Sequence, residues 1–239
     1  MTVRRSWNGV SSGLGPWQGH GMRTWISAAR AFADVVDRLD HGDGPGHGVD
    51  HRDGPGLGVD HWDGPGLGAW SLRDLVGHTC SAGLSAVITV ADATTEDITS
   101  PEGYYAFAKS VDPALFETAV AMSTEDARRI GERLGDDPAA AVRHLVDQAI
   151  AALGAEDRLI ASAAGGMRLH AWLPTRTFEL AVHSMDIAAA TGLSADLPAQ
   201  VISDAAALAA RIAAATGDGP AVLLAMTGRG HLTRDFSVV

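Results

Sequence analysis

The stretch Thr175-Arg-Thr-Phe-Glu-Leu-Ala-Val-His-Ser-Met-Asp-Ile-Ala-Ala-Ala-Thr191 is preceded by Pro174 and followed by Gly192. Proline at the opening and glycine just past the end mark the start and stop of a helix, so the pattern predicts a helix over residues 175–191. At about 100° per residue, with Arg176 at zero, Glu179 falls at about −60°, His183 at about −20° and Asp186 at about −80°. Four ionisable side chains therefore share one face. Glu179 and His183 stand at i and i+4, where side chains meet.

Further helices follow by the same reading. Trp25, Ile26, Ala29, Phe32, Val35, Val36 and Leu39 recur at steps of three and four, giving a first helix over 23–39. Ser71 is a good N-cap with Asp74 at N3, and a second helix runs from there toward Val90, weakened at Gly77 and Gly83. Residues 94–122 read as irregular except for a short helix over 112–122. Ser123-Thr-Glu-Asp reads as the cap of another, ending near Gly135. Pro138 sits at N1 of a helix carrying Val142, Leu145, Val146, Ala149 and Ile150. A short helix is expected over 156–164, a long one over 198–216 and an apolar one over 219–226. No segment alternates with period two. The expected class is all-α, an up-and-down four-helix bundle with extra short helices.

Residues 41–70 repeat a decapeptide, His-x-Asp-Gly-Pro-Gly-x-Gly, three times. The recurring His and Asp can be read as metal ligands. Ten glycines and three prolines in thirty residues cannot build a core, however, and near-identical copies fit recent duplication of one loop. Residues 41–69 are therefore expected to form an expanded, flexible loop insert. Residues 1–22 read as a disordered leader, with Met22 as an alternative start, and residues 230–239 as a tail.

Composition bounds the function. The chain has 239 residues, 46% hydrophobic and 20% charged, enough for a core. A net charge of −11 opposes general nucleic-acid binding. No apolar run approaches the ~18–20 residues of a membrane span, and Arg4 and Arg5 are not followed by the apolar region of a secretory signal. A single cysteine, Cys80, excludes an intrachain disulfide, and a reducing cytoplasm is the expected compartment. Arginine outnumbers lysine so far that Lys109 is the one lysine, a bias expected of a GC-rich bacterial genome.

Leu72, Leu75 and His78 step by three, so His78 falls where a core residue is expected. Two histidines and one carboxylate from two helices can form a three-ligand metal site with a fourth position open. The same residues also fit a hydrogen-bonded core histidine and a helix-face ion pair. Cys80, two residues past His78, reads as a small buried hydrophobe. Trp172 reads as a core or pocket-wall aromatic, and His144 and His170 have no partner at a telling spacing.

Trp70-Ser-Leu-Arg-Asp-Leu-Val-Gly-His78 resembles the Trp-x-x-Arg-Asp-Leu-x-x-His signature of the DinB-like superfamily, and within it the mycothiol-dependent maleylpyruvate isomerase branch. Arg176-Thr-Phe-Glu-Leu-Ala-Val-His-Ser-Met-Asp186 is similar to that branch's second signature. Leu224-Ala-Met-Thr-Gly-Arg229 resembles the ending of its shorter metal-binding members. The resemblance spans about residues 23–229. It implies a DinB-like bundle holding a divalent metal, usually zinc, on His78, Glu179 and His183. Asp186 would support a ligand or anchor the helix, and Arg176 would contact substrate or thiol cofactor; Arg176 reads equally as an ion-pair partner of Glu179 or Asp186. The chain departs from the family in lacking Pro-Cys before Trp70, in its two extra repeat units, and in having only residues 230–239 where longer isomerases add a domain to their site.

The implied activity is a metal-dependent thiol S-transferase or thiol-assisted isomerase. It would use mycothiol or a similar low-molecular-weight thiol on a small electrophile, with a homodimer as one possible assembly. Two further readings stand beside it: a DinB-like metal-binding protein without turnover, and a metal-free biosynthetic enzyme using the bundle cavity.

Overall fold

The computed structural model describes residues 18–41, 61–154 and 156–239. The expected leader before residue 18 and most of the expected repeat loop lie outside the described residues. The chain is built from α1 (Gln18–Asp40), α2 (Leu72–Cys80), a π-helical segment (Ser81–Ser85) and α3 (Ala86–Thr89). There follow α4 (Pro101–Ser110), α5 (Pro113–Arg133), α6 (Pro138–Ala152), α7 (Leu169–Thr191), α8 (Ala199–Ala215) and α9 (Gly219–Met226). Between α6 and α7 lies a hairpin of β1 (Leu159–Ser162) and β2 (Gly165–Arg168).

The main core is shared by α1, the α2–α3 rod, α6 and α7. Trp25, Phe32, Leu75, Leu84, Leu173, Leu180 and Ile187 are fully buried there. An all-α bundle is therefore what the protein forms. The first helix begins at Gln18, so residues 18–22 of the expected leader are helical. Ser71 caps α2 with a complete capping box, and Gly192 ends α7 in the left-handed conformation (φ 72°).

Several expectations fail locally. First, residues 156–164 contribute to a hairpin, not a helix: Leu159 pairs with Arg168 and Ile160 with Met167. Ile160 and Met167 enter the core, and the chain at Asp92 and Ile98 bridges to them. Strands of four residues are too short to display period two. Second, residues 101–110 are helical, with Ser100 capping the Gly103 N–H at 3.1 Å and Pro101 in the first turn. Third, α5 runs unbroken through Ser123, because that hydroxyl turns toward a histidine instead of capping. Fourth, α7 starts at Leu169, five residues before Pro174, with its His170 N–H held by Asp157 Oδ1 at 2.9 Å. The last repeat unit also departs from a loop: Trp62 is 3% exposed in the core, and the Arg73 guanidinium stacks on it.

α2 and α5 meet backbone to backbone. A Cβ on Gly77 would stand 2.2 Å from the Ala127 carbonyl oxygen and 2.6 Å from the Gly131 nitrogen. No side-chain adjustment relieves contact with backbone. Gly77→Ala should therefore cost about 3 kcal/mol, at the upper end of overpacking in a filled interior. Gly21→Ala in α1 meets nothing within 4 Å and should stabilise by up to ~1 kcal/mol through helix propensity. Denaturant melts of both variants test the pair; equal stabilities would refute the contact.

Candidate metal centre

His78 is the seventh residue of α2, which the Ser71–Asp74 box starts in a fixed register. The Trp70 ring lies on its imidazole at 4.7 Å between centroids. Glu179 and His183 sit one turn apart on α7 and face it. His183 Nε2 is 3.5 Å and His78 Nε2 3.9 Å from the same carboxylate oxygen, Glu179 Oε2. The two imidazoles meet edge to face at 4.9 Å. One ligand atom from each of the three residues lies within 4.8 Å of the other two, so one ion could be held among them.

The remaining polar atoms of the three are occupied. His78 Nδ1 is 3.2 Å from the Ser123 hydroxyl, and His183 Nδ1 is 2.9 Å from Asp186 Oδ2. The Tyr105 hydroxyl donates to Glu179 Oε1 at 3.1 Å. Each partner leaves one atom free to point inward: Nε2, Nε2 and Oε2. That is how supported ligand histidines are arranged in metal sites. Two imidazoles and a carboxylate suit zinc and similar divalent cations, and three protein ligands leave a position for water or substrate. The donor set thus fits the group that the sequence implies.

The electrostatics are those of a partly buried charge cluster. Burial and the neighbouring His183 charge push the His78 imidazolium down from 6.5 to about 4, against the pull of Glu179. Burial also opposes charge on Glu179 and on His183. The surrounding partners prevail: the close His183 and then the Arg176 charge draw Glu179 down from 4.5 to about 2, and the Asp186 hydrogen bond and then Glu179 raise His183 from 6.5 to about 9.

Arg176 is 6% exposed. Its NH1 donates to the Ala82 carbonyl in the π-segment at 3.0 Å, and its guanidinium lies against the Trp172 and Tyr104 rings at 5.0 and 5.3 Å. It is placed to compensate Glu179 from inside the core. Trp172 belongs to that core, at 4% exposure. The buried Cys80 thiol is pushed up to about 12 by its apolar surroundings, as an inert thiol would be. His144 and His170 lie away from the cluster, His170 with its Nδ1 3.6 Å from Asp157. Sequence reasoning missed Tyr105 and Ser123. Ser100-Pro101, a cap followed by an N1 proline, could have revealed the helix that carries Tyr105. Ser123 reads as a helix cap, and nothing in the sequence points it toward His78.

These shifts set a pH profile for protein kept free of metal by a chelator. The raised His183 stabilises the fold fully below pH 6.5, and that contribution is lost as pH rises through about 9. The depressed His78 works the other way: its contribution is complete above pH 6.5 and is lost as pH falls toward about 4. Glu179 contributes above pH 4.5 and loses this as pH falls through about 2. The cluster should therefore stabilise most near pH 6.5. His183→Gln should remove the alkaline limb and keep the acid one. Melting temperatures of both proteins across pH check this; an alkaline limb unchanged in the variant would refute it.

The sequence model of the mycothiol maleylpyruvate isomerase N-terminal domain matches residues 56–188. The match takes in both histidines, Glu179, Arg176 and Asp186. No curated protein and no solved structure matches the chain. Among the described residues, no helix is long and apolar enough to cross a membrane. With more than half of its length covered by that match, the chain belongs to the mycothiol maleylpyruvate isomerase N-terminal domain family.

Proposed function

We propose that the protein is a metal-dependent enzyme that adds a low-molecular-weight thiol, mycothiol by family, to a small electrophile. The observation that carries this reading is the convergence of His78, Glu179 and His183 on one point with their outer atoms already bonded. The metal, zinc on this donor set, would supply the positive charge that favours thiolate over thiol. The protein's own part is to hold that centre in shape. Asp186 accepts from His183 Nδ1–H and so keeps the Nε2 lone pair inward; Ser123 and Tyr105 fix His78 and Glu179. The Trp70 ring packs on the His78 imidazole and helps hold its orientation. The thiolate would add to one carbon of an activated double bond, breaking its π bond and moving that electron pair onto the activating group; the pair then either takes up a proton, completing the adduct, or returns to expel the thiolate. Release of the adduct makes a transferase; rotation about the attacked bond followed by thiol expulsion makes a cis–trans isomerase.

A binding module without turnover is the second reading. It is favoured by the way His183, Glu179 and Asp186 satisfy one another as an ion-paired cluster.

Elemental analysis of protein purified without a His-tag or chelator tests the centre. About one equivalent of a divalent metal is expected in the wild type and none in His183→Ala. Asp186→Asn should keep the metal but bind it roughly 10–100-fold more weakly. Uptake near pH 7 should release about one proton, from His183, because the other two ligands are already deprotonated. Calorimetry in buffers of different ionisation enthalpy reads that proton. Metal-dependent conjugation of mycothiol would favour the enzyme over the binding module. No metal after reconstitution would sink both readings.

A further inference from the structure

A cleft of about 700 Å³ opens between the α2–α3 rod, α5 and α6, built from side chains other than those of the metal cluster. It begins close to that cluster: Ser81 follows His78 by one turn of the rod, and Asp126 follows Ser123 by one turn of α5. Three independent features set it apart from an ordinary surface groove.

The first is its wall. Ser81 and Ser85, the two ends of the π-segment, line the cleft. Such segments are rare and concentrate at functional sites. Here the Ala82 and Gly83 carbonyls take side-chain donors from Arg176 and Trp25 on the core side.

The second is charge. The chain carries −11, yet the ionisable groups lining the cleft are Arg129, Arg133 and His144 against one carboxylate, Asp126. Asp126 is taken up by Arg129 at 2.6 Å. Arg133 has no ion pair among the described residues.

The third is the floor, which is apolar at Ile130, Leu134 and Leu145. Ligand sites commonly occupy roughly 300–1,000 Å³ and combine an apolar lining with a few placed polar groups.

We propose that this cleft binds a small organic anion, its apolar body on the Ile130–Leu134–Leu145 floor and its carboxylate or phosphate head at Arg133 and His144. The inference does not depend on the metal reading, since no metal-cluster residue lines the cleft.

Calorimetric titration of the full chain with 2-naphthoate, 2-naphthyl phosphate, the neutral 2-naphthamide and inorganic phosphate tests it. Both aryl anions should bind, and the amide and inorganic phosphate should each bind at least roughly tenfold more weakly. Arg133→Gln and His144→Gln should each weaken the aryl anions by roughly tenfold, the scale of one lost charged hydrogen bond. Both variants should retain the wild-type fold by circular dichroism. Arg128→Gln, whose guanidinium pairs with Glu125 and does not line the cleft, should bind like wild type. Any one of three results overturns the proposal: amide and carboxylate binding equally, aryl-anion affinity unchanged in the Arg133 and His144 variants, or no binding at about 10 mM ligand. The relative strength of naphthoate and naphthyl phosphate decides which head the cleft prefers.

Discussion

Glu179 is an anion set into a helical bundle, and its neighbours are arranged around that charge. A carboxylate removed from water is tolerated only when paired and hydrogen-bonded. Arg176 compensates it from the core side, Tyr105 donates to one oxygen, and the two histidines face the other. Four elements are tied by this one group: α7 carries it, α4 brings Tyr105, α2 brings His78, and the π-segment anchors Arg176 through the Ala82 carbonyl. Removing the anion would leave Arg176 as a buried cation without its counter-charge, so the cluster supports the fold as much as it offers a binding point.

The α2–α5 contact is the second constraint. With glycine at 77 and 131 the two backbones touch, and across the same pair of helices the Ser123 hydroxyl reaches His78 at 3.2 Å. Beyond Ser123 the N-terminal part of α5 is little covered by the described residues: residues 112–122 are all exposed, Leu115, Phe116, Val120 and Met122 among them. Helical order there is carried by the packed half of the helix, since an isolated stretch of this length is marginal in water.

How much of this was legible in the sequence follows from the range of each interaction. Long helices with a buried stripe were readable because periodicity, caps and the closing glycine are local; α6, α8 and α9 fall within a residue or so of expectation. The three convergent residues were readable because two share a helix face and the third breaks an apolar pattern. The hairpin was not, because Leu159–Ser162 becomes a strand through its pairing with Gly165–Arg168 and its bridge to Asp92. Ser123 was misread for a similar reason: a capping-type residue found a partner 45 positions away. Arg176 carries two readings, a contact to substrate or thiol and a partner for Glu179 or Asp186; the stacking of its planar guanidinium on the Trp172 and Tyr104 rings depends on packing that no local pattern displays.

Trp62 has a consequence for how this gene can change. It pins the last decapeptide unit into the core, and the Leu72 N–H bond to the Gly64 carbonyl and the Gly66 N–H bond to the Trp70 carbonyl fasten that unit to the start of α2. The capping box and these two bonds, which set where α2 begins, lie downstream of residue 61. Copies of the repeat gained or lost by replication slippage upstream of His61 would leave this anchored unit and its bonds to α2 unchanged in sequence. A single-residue insertion between Trp62 and Ser71, by contrast, would fall inside the anchored unit and displace the start of α2, and with it His78.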